Sequence, residues 1–297
     1  MPPKGNPFCS PARHGRLSGG MSEPTLRAML VHLADRVVLA VTGEDRLAHL
    51  QGLVSADMRQ AAPGRCLWSA LLTPQGKYLA DFFVHATPDA LLLDVLATQA
   101  TLLRERLLRF RLRARVAIEA APLAVHVGWP ERPEGAVPDP RLPEAGFRLL
   151  APPLPGTAPL PGADERAAWE RHRIPLGLPE PCDLEPEKTV LLEAGFDELG
   201  GIAWDKGCWM GQELTARTRY RGLVRRRLLP VAVAGGLPPP GTVVWDAQGR
   251  EVGVLRSGID AMALATLRLD ALSGNLRAGT ATLSPRIPTW VCLPEPA

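Results

Sequence analysis

Lysine is nearly missing from this chain: four of its 34 basic residues are lysine, at positions 4, 77, 188 and 206, and the other 30 are arginine. Arginine clusters must therefore be discounted as a compositional habit, whereas a lysine at a particular place implies a demand for a compact ammonium rather than a planar fork. Paired cysteines are lacking too. Those at 9, 66, 182, 208 and 292 show no paired spacing and leave one over, which argues against a disulfide framework or a zinc knuckle and fits a reducing cytoplasm. No apolar run reaches the roughly 18 residues of a membrane span, because Asp94 interrupts the longest candidate, Ala90 to Leu103. The N-terminus has no apolar h-region, so no signal peptide is expected. Phosphate-cradling loops, metal-ligand clusters and helix-turn-helix signatures are missing as well. A net charge of +3 does not by itself indicate a nucleic-acid binder.

What is present suffices for two or three domains: 297 residues with 46% apolar composition. Residues 1–25 are polar, rich in glycine and proline and without periodicity, and read as a disordered tail in which Met21 is an alternative start. A first α+β lobe is expected over 26–128. Val37 to Val41 reads as a buried strand, Thr42 and Asp45 as a capping box, and Cys66 to Leu72 with Lys77 to His85 as a hairpin around Thr73-Pro74-Gln75-Gly76. Leu91 to Val95 adds a strand, Thr98 to Arg109 a helix, and Arg111 to Ile118 a last strand. The arginines at 104, 106, 109, 111, 113 and 115 read as an anion-binding face or, better, as the solvated side of that strand.

A second lobe is assigned to 129–228, with a proline- and glycine-rich stretch from Trp129 to Gly162 that disfavours long regular structure and a helix from Asp164 to about His172. Over 229–297, short apolar runs separated by Gly/Pro turns suggest a small antiparallel barrel, with strands at Leu228 to Ala234, Thr242 to Trp245, Glu251 to Arg256, Ala263 to Leu269, Thr280 to Leu283 and Trp290 to Leu293.

The chemistry is concentrated in Lys206-Gly207-Cys208-Trp209-Met210-Gly211-Gln212-Glu213, followed by arginines at 217, 219 and 221. Two glycines bracket Cys208 and imply a bend. Gln212 to Thr218 has good helix formers, with Glu213 in the first turn and Arg217 in the last, as the helix dipole favours. A cysteine just ahead of a helix N-terminus with Lys206 nearby should favour thiolate, against the alternative of a small buried apolar residue.

The run resembles the signature of the YgfZ family of folate-binding proteins, which reads Lys-Gly-Cys-aromatic-x-Gly-Gln-Glu with an arginine four residues on. Lys206, Gly207, Cys208, Gly211, Gln212, Glu213 and Arg217 match, with Trp209 in the aromatic place. A fainter likeness to the glycine-cleavage T-protein covers most of the chain from about Leu26. The resemblance implies an α+β, three-lobed T-protein-like ring of ferredoxin-like lobes plus a C-terminal antiparallel β-barrel, with tetrahydrofolate in the central hole. It also implies a role in assembly or maintenance of iron-sulfur enzymes and the tRNA modification that depends on them, with iron-sulfur enzymes or assembly proteins as partners and Cys208 as the functional thiol. Lys206, Trp209, Gln212, Glu213, Arg217, Arg219 and Arg221 are then the candidate folate contacts, by residue type: an apolar wall, a pterin-reading carboxylate and amide, and cations for a glutamate tail.

A folate-dependent aminomethyl or methyl transferase is the alternative. Transferases of this fold carry an acidic pair after the first hairpin turn, where this chain has Lys77-Tyr78-Leu79-Ala80-Asp81 and so keeps one acid. Asp81 is the catalytic candidate on that reading, and an exposed strand carboxylate is its bland counterpart. A cysteine hydrolase would need a base, and none of the six histidines has diagnostic spacing. RNA contact, or a polyglutamyl tail, would fall to the arginines at 217, 219, 221, 225, 226 and 227.

Overall fold

The computed structural model describes residues 29–153 and 163–293. The expected disordered tail and the alternative start at Met21 lie outside the described residues. Along the chain come β1 (Met29–His32), β2 (Arg36–Thr42), a short α1 (Arg46–Gln51), the hairpin of β3 (Cys66–Leu72) and β4 (Tyr78–Ala86), β5 (Ala90–Leu96), α2 (Ala97–Arg109) and β6 (Ala117–Ala121). Then follow β7 (Ala124–Trp129), β8 (Val137–Pro138), β9 (Phe147–Ala151), α3 (Ala163–Leu176) and α4 (Gln212–Tyr220). The last stretch holds β10 (Arg226–Ala234), β11 (Val243–Trp245), β12 (Glu251–Ile259), β13 (Met262–Arg268), β14 (Leu276–Ala278) and β15 (Ala281–Pro285).

These strands make a five-stranded sheet in the order β3-β4-β5-β2-β6, a four-stranded sheet in the order β1-β7-β9-β8, and a closed six-stranded barrel, β10-β13-β12-β11-β14-β15. The expected α+β architecture with a C-terminal antiparallel barrel is therefore present. Closure of the barrel, with β10 pairing β15, leaves it no open edge.

Several local expectations differ. Asp45 does cap α1, yet its side chain makes no cap bond; it accepts instead from the Arg115 amide, so the capping box does not form. The strand expected from Arg111 begins at Ala117, because Leu112 takes φ +46° and turns the chain. Strands also occupy the stretch from Trp129 to Gly162, where proline and glycine argued against long ones: β8 and β9 are short and lie between the breakers. Met29–His32, allotted to the first lobe, pairs with β7, and the 128/129 division falls inside β7. In the barrel, three-residue β14 is too short to show periodicity, while Trp290 to Leu293 forms no strand. There the Trp290 indole donates to the carbonyl of Leu176 and closes over Gly177 and Gly195.

One apolar cluster joins all three lobes. It holds Trp68 and Phe83 of the first sheet, Val125 and Val127 of the second, Trp169 of α3, Phe196 and Trp209 of the connecting segment, and Leu228 and Leu264 of the barrel. Trp68 stacks on Phe196 at 3.8 Å between centroids. A buried ionic chain crosses the same junction. Asp94 accepts from Arg36 and Arg148; Arg148 and Arg141 share Asp139; Arg36 also reaches Glu180. Arg173 pairs with Asp183, whose other oxygen accepts from Ser257 of the barrel. Such a network is costly to desolvate and stable only when every member is paired, so it fixes how the lobes meet.

Candidate functional site

The motif folds as a loop pinned from beneath. Gly207 and Gly211 both take left-handed backbone, at φ +87° and +83°, and Cys208 between them is exposed. Lys206 is buried, and its ammonium donates to the carbonyls of Val54 and Ala56, each at 2.6 Å. Burial lowers its pKa from the ordinary 10.5 to about 8. The Trp209 side chain enters the central core with its ring 6.0 Å from the ammonium, and the Met210 amide donates to the carbonyl of Gly52. At Gly211 a Cβ would stand 2.8 Å from Leu72 Cβ and 2.9 Å from the carbonyl oxygen of Thr73, so the start of α4 lies directly on the hairpin turn. Glycine is required there by both conformation and space. The result is a thiol held outward on a fixed loop, which rules out the buried, inert cysteine.

The other sequence-derived candidates separate. Lys206 spends its hydrogen bonds on backbone carbonyls and serves as an anchor, neither a ligand contact nor a hydrogen-bond partner of the thiol. Gln212 is half-buried at the first position of α4. Glu213 is exposed and pairs with Arg217 one turn on, at 2.7 Å. Arg219 lies over Trp204 at 4.3 Å and pairs with Asp197. Arg221 is exposed at the end of the helix. Arg227, grouped with the possible RNA contacts, is buried against Glu198 and the carbonyl of Leu192. Asp81 is buried, not exposed: it accepts from Trp68 Nε1 at 3.0 Å and from the Tyr78 hydroxyl at 2.6 Å, and burial raises its pKa.

A cavity large enough for a small molecule lies away from the motif. About 580 Å³ in volume, it is walled by Leu67, Trp68, Pro138, Pro140 and Ile202, with Asp57, Gln60 and Arg65 as its polar members. None of the seven candidate folate contacts lines it. Sequence reading missed the cavity because its walls come from segments far apart and carry no motif. Cys66 also lines it, with Sγ 3.6 Å from His85 Nε2. Burial pushes that thiol up and the imidazole down to about 4, so the pair stays neutral and is no nucleophile-base couple. Among the described residues no three His, Cys, Asp or Glu side chains are grouped to hold a metal ion.

Two sheet lobes and a closed barrel, sharing one core, define a protein of the aminomethyltransferase-like fold. The glycine cleavage system aminomethyltransferase T from Bartonella henselae matches with a TM-score of 0.70, covering 89% of this chain and 86% of its own, at 17% identity. The family described as "CAF17, C-terminal beta-barrel domain" matches residues 225–292. Among curated proteins, the mitochondrial iron-sulfur cluster assembly factor IBA57 of Homo sapiens is 30% identical over 327 residues, 96% of this chain and 91% of its own. That of Mus musculus is 29% identical over 339 residues, 95% and 94%. The chain belongs to the IBA57 family of iron-sulfur cluster assembly factors.

Proposed function

We propose that this protein acts in iron-sulfur cluster assembly by offering Cys208 as a single thiolate to a cluster whose remaining ligands come from a partner protein. The carrying observation is the exposed thiol between two left-handed glycines, anchored by Lys206, Trp209 and Gly211. Cluster irons take thiolate ligands, commonly four per cluster. An accessible cysteine with no grouped ligands beside it among the described residues suits a shared, transient attachment better than a resident cage. A reducing cytoplasm, as the cysteine spacing suggests, keeps such a thiol free. The enzymes served include, on this reading and by the motif's YgfZ kinship, those that modify tRNA.

Tetrahydrofolate belongs to the same reading, with its place moved to the 580 Å³ cavity, where an apolar wall and the polar groups of Asp57, Gln60 and Arg65 suit a planar heterocycle. The transferase alternative loses support, since Asp81 is sealed in the core by Trp68 and Tyr78. Two assays test the proposal. Cluster delivery from a loaded scaffold protein to an apo-enzyme should be stimulated by the purified chain and not by Cys208→Ala. Stimulation that survives the substitution overturns the thiol's role. Tetrahydrofolate titration should give saturable binding weakened by Arg65→Ala, and a protein that binds none removes the folate from the account.

A further inference from the structure

The end of α2 and the turn after it carry features that folding does not account for. Leu112 is 90% exposed and stands at φ +46°, a region that side chains bearing a Cβ avoid. Phe110 is 40% exposed. Arg106, Arg109, Arg111 and Arg113 flank them in the sequence, Arg106 half-buried and the other three exposed, and Glu105 is the sole acid between 97 and 115. None of these four arginines is in an ion pair among the described residues, whereas Arg115 pairs with Glu44 and Asp45.

The turn is built rather than loose. The amides of Phe110 and Arg111 donate to the carbonyls of Leu107 and Leu108, and that of Ala114 donates to the carbonyl of Arg111. Arg104 and Arg111 donate to the carbonyls of Ile118 and Val116, and the Arg115 amide donates to Asp45. A strained, solvent-facing leucine held out by this many bonds points to a use outside the fold.

We propose that this tip seats the protein on an anionic lipid surface, with Phe110 and Leu112 entering the boundary between headgroups and acyl chains and the four arginines meeting the lipid phosphates. Apolar tips ringed by cations bind such interfaces through buried area and charge together. The tip presents two projecting side chains, and a bilayer interface accepts them without a matching pocket, which a protein partner would have to supply. On RNA the aliphatic Leu112 would have nothing to stack against. Neither Cys208 nor the cavity takes part.

The test is co-sedimentation of the full chain with vesicles of phosphatidylcholine alone and with phosphatidylglycerol added, at low and high salt. Retention is expected on the anionic vesicles alone and should fall at high salt. Both Phe110→Ser with Leu112→Ser and Arg109→Glu with Arg113→Glu should cut retention about tenfold or more, with unchanged thermal midpoints because all four side chains are exposed. Absence of retention on anionic vesicles, equal retention of folded variants, or tip-dependent binding to RNA or an acidic protein instead would overturn the proposal.

Discussion

The ammonium of Lys206 is buried, without a salt bridge among the described residues, and bonded to carbonyls 152 and 150 residues earlier. Lysine's rarity singled this position out in the sequence, and the motif resemblance suggested a ligand contact. Partners that are backbone carbonyls leave no sequence trace, so the anchoring role emerged only in three dimensions. Lys206→Met should cost about 1–3 kcal/mol by urea denaturation, the penalty of two carbonyls left unsatisfied. Lys206→Arg should also destabilise, since a guanidinium does not fit a site made for a point donor. The pH dependence has a definite sign. With a folded pKa of about 8 against an ordinary 10.5, the penalty of the buried charge is full below about pH 8 and is relieved as pH rises toward 10.5. Parent stability relative to Lys206→Met should therefore increase across that window, and a flat or falling difference contradicts the burial argument.

The loop and helix of the motif depend on two glycines that share a backbone conformation and differ in surroundings. A Cβ at Gly207 meets nothing within 4 Å, whereas one at Gly211 strikes the hairpin. Gly207→Ala should cost about 1–2 kcal/mol, the left-handed penalty alone, and Gly211→Ala about 1–3 kcal/mol more from overpacking. Denaturation midpoints check this pair, and equal costs would mean that α4 does not rest on the hairpin. The hairpin itself was legible, since apolar runs around Thr-Pro-Gln-Gly specify turn and strands together. The helix was legible from its formers and charges. Strands β8, β9 and β14 were hidden because two to five residues carry too little periodicity, and β1 because its partner is sequence-remote.

Across the whole molecule the lobes are joined by a shared core and a buried ionic chain centred on Asp94. Asp94→Asn should destabilise by about 3–5 kcal/mol, since it leaves Arg36 and Arg148 buried without their common carboxylate. Burial opposes the charged form of Glu180, yet Arg36, Arg166 and Arg173 outweigh it and hold the group at about 2 against an ordinary 4.5. Its contribution is present above about pH 4.5 and lost as pH falls toward 2, so acid unfolding monitored by circular dichroism should begin in that interval. The barrel and the α+β character could be read from strand spacing and turns. The junction could not, because the pairs centred on Arg36 and Asp94, namely Arg36–Asp94, Arg148–Asp94 and Arg36–Glu180, link residues 54 to 144 positions apart. At the site, the bend around Cys208 was legible from its two glycines, both left-handed in the structure, but the cavity was not, because its walls assemble from three separate segments. The central claim is that Cys208 acts outward, toward a cluster, and holds up none of the fold. The most direct measurement is iron-sulfur enzyme activity in cells that depend on this protein, complemented with Cys208→Ala at equal expression. The account predicts that the variant melts with the parent and leaves enzyme activity at the level of cells without the protein; activity restored to the parent level would contradict it.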